Sequence, residues 1–169
     1  MIRYWRSDMI RKFLLAVFCF LTCGIVMADE PGTQDQTGEK MAVWINAGML
    51  SHHFERNKNY RENNSGFGAE VAFSETNSVT AGYFRNSDDV ESNYLGWVWK
   101  PWTLGPARIG LVAALFDGYP RVNKGGWFPA AFPVVSLEYK AVGVNLIVIP
   151  TVGDRLHGAL VAQIRLRIW

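Results

Sequence analysis

"HGALVAQIRLRIW", residues 157–169, decides how the rest of the chain is read. Leu160, Ala162, Ile164, Leu166 and Ile168 fall on one side of an extended backbone, and Gln163, Arg165 and Arg167 fall on the other. Side chains alternate across a strand, so this period-two pattern is a β-strand with one apolar and one polar face. The closing aromatic, Trp169, has the parity of the arginines. Either it bends out of the strand or the register is shifted by one.

Seven further runs of the same kind precede it: 41–52, 66–74, 78–85, 93–102, 107–116, 130–139 and 142–150. Each is close to the length of about nine to eleven residues that a tilted strand needs to cross a bilayer. No run of helical length with a 3.6 period competes with them. The connections alternate. Those at "ETN", "KPWTLGPA" and "YKA" are short, whereas those at 53–65, 86–92, 117–129 and 151–156 are longer or more polar. Even strand number with turns short at one end and long at the other is the pattern of outer-membrane barrels. The expected fold is therefore all-β: an eight-stranded antiparallel transmembrane β-barrel over 41–169, with short periplasmic turns and longer external loops. A soluble sandwich or lipocalin-like barrel is the alternative. Against it stand Trp97, Trp99 and Trp102, clustered beside the short turns like an interfacial girdle, and strands too apolar for a sheet with one wet face.

The N-terminus reads as an export signal. "MIRYWRSDMIRK" is basic, "FLLAVFCFLTCGIV" is an apolar stretch too short to span as a helix, and "VMA" offers a cleavage site before Asp29. Residues 1–28 are expected to be a signal peptide and 29–40 a polar lead-in. Four of the 17 basic residues and one of the 15 acidic ones, Asp8, lie before Asp29, leaving 13 and 14 from Asp29 onward. Such a balance gives no concentrated positive field, so no nucleic acid is expected as a partner. Cys19 and Cys23 both lie in the leader, so the exported chain has neither disulfide nor thiolate metal site. No cofactor motif is found. The reading is a membrane-embedded protein of the Gram-negative outer membrane, expected to be a monomer.

Several strands are apolar on both faces, notably "IGLVAALF" and "VGVNLIVI". An eight-stranded barrel is filled by side chains or holds one small ligand. An apolar lumen is therefore either a packed plug or a slot for an acyl chain, which Gly110, Gly143 and Gly158 would widen. Pro129, Pro133 and Pro150 mark the external end of the seam between the sixth and seventh strands. Proline cannot donate to the ladder, so they define a place for lateral lipid access or simply end the strands.

"YRENNSGFG" (60–68), "FRNS" (84–87) and "FPAAFPVVSLEYKAVGVNLIVIP" (128–150) resemble the loop and second strand, the third-strand motif and the proline-marked strand pair of the lipid A palmitoyltransferases of the PagP type. The resemblance implies an outer-membrane barrel whose apolar interior measures an acyl chain. It also implies an enzyme that moves palmitate from a phospholipid to lipid A with a histidine, an aspartate and a serine at the outer lip. Strict alternation along the first strand puts Trp44, Asn46, Gly48, Leu50 and His52 on the inner face. His52 would then be the base, its pKa lying near neutrality. Ser87 would be the nucleophile or a group polarising the ester carbonyl. Asn86 stands where the family has aspartate, which moves the carboxylate role to Asp88, Asp89 or Glu62. The candidate catalytic set is His52, Ser87 and Asp88. A reading from another class is a non-catalytic barrel acting through its loops in surface protection or adhesion.

Overall fold

The computed structural model describes residues 41–153 and 157–169, so the expected signal peptide and the polar lead-in lie outside the described residues. Eight strands occur in chain order: β1 (Ala42–His53), β2 (Asn63–Ala72), β3 (Asn77–Arg85), β4 (Glu91–Leu104), β5 (Ala107–Phe116), β6 (Phe128–Tyr139), β7 (Val142–Ile149) and β8 (Ala159–Arg167). Each pairs antiparallel with the next, and β8 closes on β1. The closure extends past β8: Val43 N–H donates to Trp169 O at 2.7 Å and Ile168 N–H to Val43 O at 2.9 Å. No helix among the described residues is long and apolar enough to cross a membrane.

All eight expected runs are strands. The connections 73–76, 105–106 and 140–141 lie at one end, the turn end, and 54–62, 86–90, 117–127 and 150–158 at the other, the loop end. In β8 the alternation holds: Gln163 and Arg165 are buried while Leu160, Ile164 and Leu166 are exposed. Trp169 lies beyond the end of β8 and its side chain is exposed, although its carbonyl still accepts from Val43 N–H.

β1 departs from strict alternation. Trp44, Asn46 and Gly48 face inward as expected, but beyond Gly48 the buried positions are Ser51 and His53, and Leu50 and His52 face out. The cause is a bulge. The ladders to both β2 and β8 shift register between Asn46 and Leu50, and Gly48 adopts φ +93°. An irregular pairing exchanges the two faces of everything downstream. A methyl group at Gly48 would meet Asn64 O and, at 2.6 Å, Gly66 N. Gly48→Ala is therefore expected to destabilise the barrel by about 1–3 kcal/mol, from left-handed strain and collision together, as measured by urea unfolding in micelles. A change below a few tenths would mean that the bulge does not depend on glycine.

The lumen has two parts. Toward the turn end lies a charged network. Arg165 donates from Nη1 to Glu70 Oε2 and from Nη2 to Glu138 Oε1, both at 2.8 Å. Lys100 Nζ lies 3.5 Å from Glu70 and 3.9 Å from Glu138. Ser78 Oγ donates to Glu70 at 2.7 Å, and the Arg165 guanidinium stacks on Trp44 with 4.6 Å to the ring centroid. Above it, Val98, Val112, Ala114, Phe132 and Val134 form an apolar cluster. The expected apolar lumen thus occupies only the part toward the loop end, and the polar floor is a correction to that reading. The three glycines do not widen a slot either: none lines the cavity. Gly143 instead makes room for Arg165, whose Nη2 would lie 3.2 Å from a Cβ there.

The β6–β7 ladder runs from Tyr139↔Val142 only as far as Val134↔Ile147, so Phe128–Pro133 have no partners on β7. On its other side β6 pairs with β5 over its whole upper half, through Leu111↔Pro133 and Leu115↔Pro129. N–H directions alternate along a strand, and a proline can sit in such a ladder only where its missing donor would point the other way. The missing donors of Pro129 and Pro133 therefore face the gap.

Candidate functional site

The bulge in β1 delivers His53, not His52, to the lumen. His53 is 5% exposed, and its Nε2 lies 3.0 Å from Ser87 Oγ. Ser87 sits just past β3 on the 86–90 loop, held by its carbonyl, which accepts from Arg61 N–H at 3.1 Å. Below the pair, Ser51 Oγ donates to Asn64 Oδ1 at 2.7 Å, and Asn64 Nδ2 to Arg85 O at 2.8 Å. These bonds lock β1, β2 and β3 together under the histidine. Of the expected set, the structure brings Ser87 to a histidine and Asp88 to the same vestibule. It places the His52 side chain outside, 61% exposed, with Nδ1 at 3.8 Å from Glu62.

Asn86 is fully buried. Its Nδ2 donates to Gly118 O at 2.8 Å, and its Oδ1 accepts from Asp88 N–H at 3.0 Å and Val90 N–H at 3.1 Å. The amide ties two loops together, a task that needs a donor and an acceptor at once and that a carboxylate cannot do. Asp89 is engaged by Arg61 at 2.8 Å and Arg85 at 2.9 Å. Asp88 keeps its carboxylate at the vestibule wall, with no side-chain hydrogen bond to the described residues.

His53 and Ser87 stand where two spaces meet. A vestibule of about 50 Å³ at the loop end is lined by Tyr60, Asp88, Tyr119, Arg121 and His157. A deeper cavity of about 100 Å³ runs down among Phe84, Phe116, Phe128, Phe132, Val134 and Val161. His53, Ser87, Tyr119 and Ile149 line both. Burial beside Asp88 raises the Tyr119 phenol above its ordinary value, so it remains an O–H donor at this throat.

Two residues of this region were given no role in the site by the sequence. Tyr60 packs between two imidazoles, with its centroid 4.7 Å from His53 and 5.3 Å from His157. Its hydroxyl accepts from Arg121 at 3.4 Å. His157 Nδ1 lies 3.0 Å from Glu55 Oε1. Their proximity comes from closure of the barrel, across a separation in sequence that no local pattern spans. The adjacent histidines diverge to opposite faces, and no group of three potential metal ligands occurs among the described residues.

The hydrogen bond to His157 holds the Glu55 carboxyl below its ordinary value of 4.5, and that from Arg85 holds Asp89 below 3.8. A lowered folded-state value means that the contribution is complete above the ordinary value and is lost as pH falls through the lowered one. The loops at 54–62 and 86–90 are therefore expected to keep constant order from neutral pH down to about pH 5 and to loosen below about pH 4. Backbone relaxation by ¹⁵N NMR across that range checks it. Loosening already between pH 7 and 5 would show that other groups hold these loops.

Comparison with protein-family models and with curated proteins finds no match.

Proposed function

We propose that this barrel spans the outer membrane of a Gram-negative cell and transfers an acyl chain from a phospholipid to lipid A or a related outer-leaflet lipid. The observation that carries the reading is the His53–Ser87 pair at the throat of an apolar cavity closed below. A bilayer setting fits the exposed aliphatic residues of the outer wall, Leu95, Leu111, Leu115, Leu160 and Ile164, and the tryptophans at the turn end. A chain lying in the cavity would hold its ester carbonyl beside Ser87. The unpaired upper half of the β6–β7 seam, at Pro129, Pro133 and Pro150, offers a sideways path from the leaflet.

In the Nδ1–H tautomer, His53 Nε2 accepts the Ser87 hydroxyl proton as Oγ attacks the carbonyl. The protonated imidazole then returns that proton to the departing lysophospholipid oxygen. An acceptor hydroxyl next attacks the acyl-serine, losing its proton to Nε2, and Oγ leaves as the restored serine. In the shorter route His53 deprotonates the acceptor directly and Ser87 polarises the carbonyl. Tyr119 offers an O–H to the developing oxyanion in either case. Asp88, which lines the vestibule with His53 and Ser87, is the candidate carboxylate for stabilising the imidazolium.

The test is the mass profile of lipid A and phospholipids from cells expressing the protein or its Ser87→Ala variant. Gain of one acyl chain, lost in the variant at equal barrel levels, is expected. An unchanged profile with the wild-type protein would leave a non-catalytic barrel acting through its loops.

A further inference from the structure

The geometry points to an occupant of the barrel cavity shorter than a palmitoyl chain: an unbranched acyl chain of no more than about twelve carbons. What happens to the chain rests on the transfer reading above; the limit on its length does not.

Depth sets the limit. The wall of the cavity runs on β6 from Phe128 to Val134 and on β8 from Ala159 to Gln163. At about 3.3 Å per residue and a strand tilt of about 40°, these spans are roughly 15 Å and 10 Å along the barrel axis. An extended hydrocarbon advances about 1.25 Å per carbon, given bonds of roughly 1.5 Å at tetrahedral angles, so about eight to twelve carbons fill the slot. Sixteen would need about 20 Å on the same arithmetic.

Volume points the same way. A dry cavity of about 150 Å³ holds a benzene ring, so the roughly 100 Å³ here holds only a few methylenes at rest. Extra room must come from rings that turn aside at the mouth, where Phe116, Phe128 and Tyr119 pack on one another. It cannot come from below. Under Val98 and Val134 lie Lys100 and Ser136, and then the Arg165 network with both acids engaged. Ser136 Oγ is itself bonded to Asn145 at 2.6 Å, and Asn145 to Gln163 at 3.2 Å. A chain pushing deeper would strand buried charges and amides without partners, a cost that no methylene gain offsets.

The experiment uses the full exported chain, refolded in a detergent with a steroid rather than an alkyl tail so that the slot is not already filled. It is given an equimolar mixture of saturated phosphatidylcholines with chains of 8 to 16 carbons, with lipid A as acceptor, and the product is read by mass spectrometry. Native mass spectrometry with lysophosphatidylcholines of the same lengths reads retention alone. Chains of 8 to 12 carbons are expected to be favoured at least tenfold over 16 in both readouts. Val98→Phe, which fills the slot just above the floor, is expected to shorten the favoured chain by about two carbons. Equal use of 16 and 12 carbons would overturn the limit while leaving acyl transfer intact. Retention of short chains with no transfer at all would sink the transfer reading and leave the slot standing. Retention of no chain would overturn both.

Discussion

Replacing Arg165 by methionine is expected to destabilise the barrel by about 3–5 kcal/mol, the largest stability effect of any single substitution here. Arg165 is 1% exposed and satisfies Glu70 and Glu138 with separate nitrogens. Its loss leaves two carboxylates in the lumen with Lys100 as their one remaining cation among the described residues, at longer range. Breaking a buried pair from one side is costly because the other charge keeps its desolvation penalty and loses its compensation. Adding Glu70→Gln in the same chain is expected to recover a large part of the loss, since the stranded charge goes with it. Urea unfolding in micelles, followed by tryptophan fluorescence, measures both. A single substitution costing less than 1 kcal/mol would mean that water reaches the floor from the turn end and replaces the guanidinium.

His53→Ala is expected to reduce acyl transfer by about a hundredfold to ten-thousandfold, the range contributed by a positioned acid–base group. His52→Ala is expected to leave it within about twofold, because an exposed side chain on the outer face supports no contact with the reacting atoms. The comparison is informative because the two residues are neighbours in sequence and differ only in which way the strand turns them. Initial rates with a defined phospholipid donor, normalised to folded barrel, decide it. If His52→Ala were the damaging substitution, the bulge at Gly48 would be absent from the working protein.

The eight strands were legible because alternation and turn spacing are local properties that survive into the barrel. The inward face of β8 was legible for the same reason, down to Gln163 and Arg165. The inward face of β1 was not. Met49 and Leu50 are both apolar, so the run carries no parity signal across the bulge, and the one clue was an isolated glycine inside a strand. From that point the expected inward face was off by one, and His53 rather than His52 faces the lumen. Ser87 was found through its motif, and Asn86 stood out as a departure whose reason, a two-way amide clamp between loops, needs the third dimension. The charged floor was invisible because Glu70, Lys100, Glu138 and Arg165 come from four different strands.

The unzipped stretch of β6 has a further consequence, for assembly. A barrel has no edges, and wherever its ladder parts it regains one. Such an edge is a template on which a strand from another molecule can add by backbone pairing. At Pro129 and Pro133 an incoming strand would find carbonyls to donate to but no N–H to receive from, on the side of β6 that lacks its neighbour. The prolines on the unpaired stretch thus leave a foreign strand only the N–H of Ala131 between them. The unpaired upper half of the β6–β7 seam is thereby a poor place for another copy of the chain to continue the sheet.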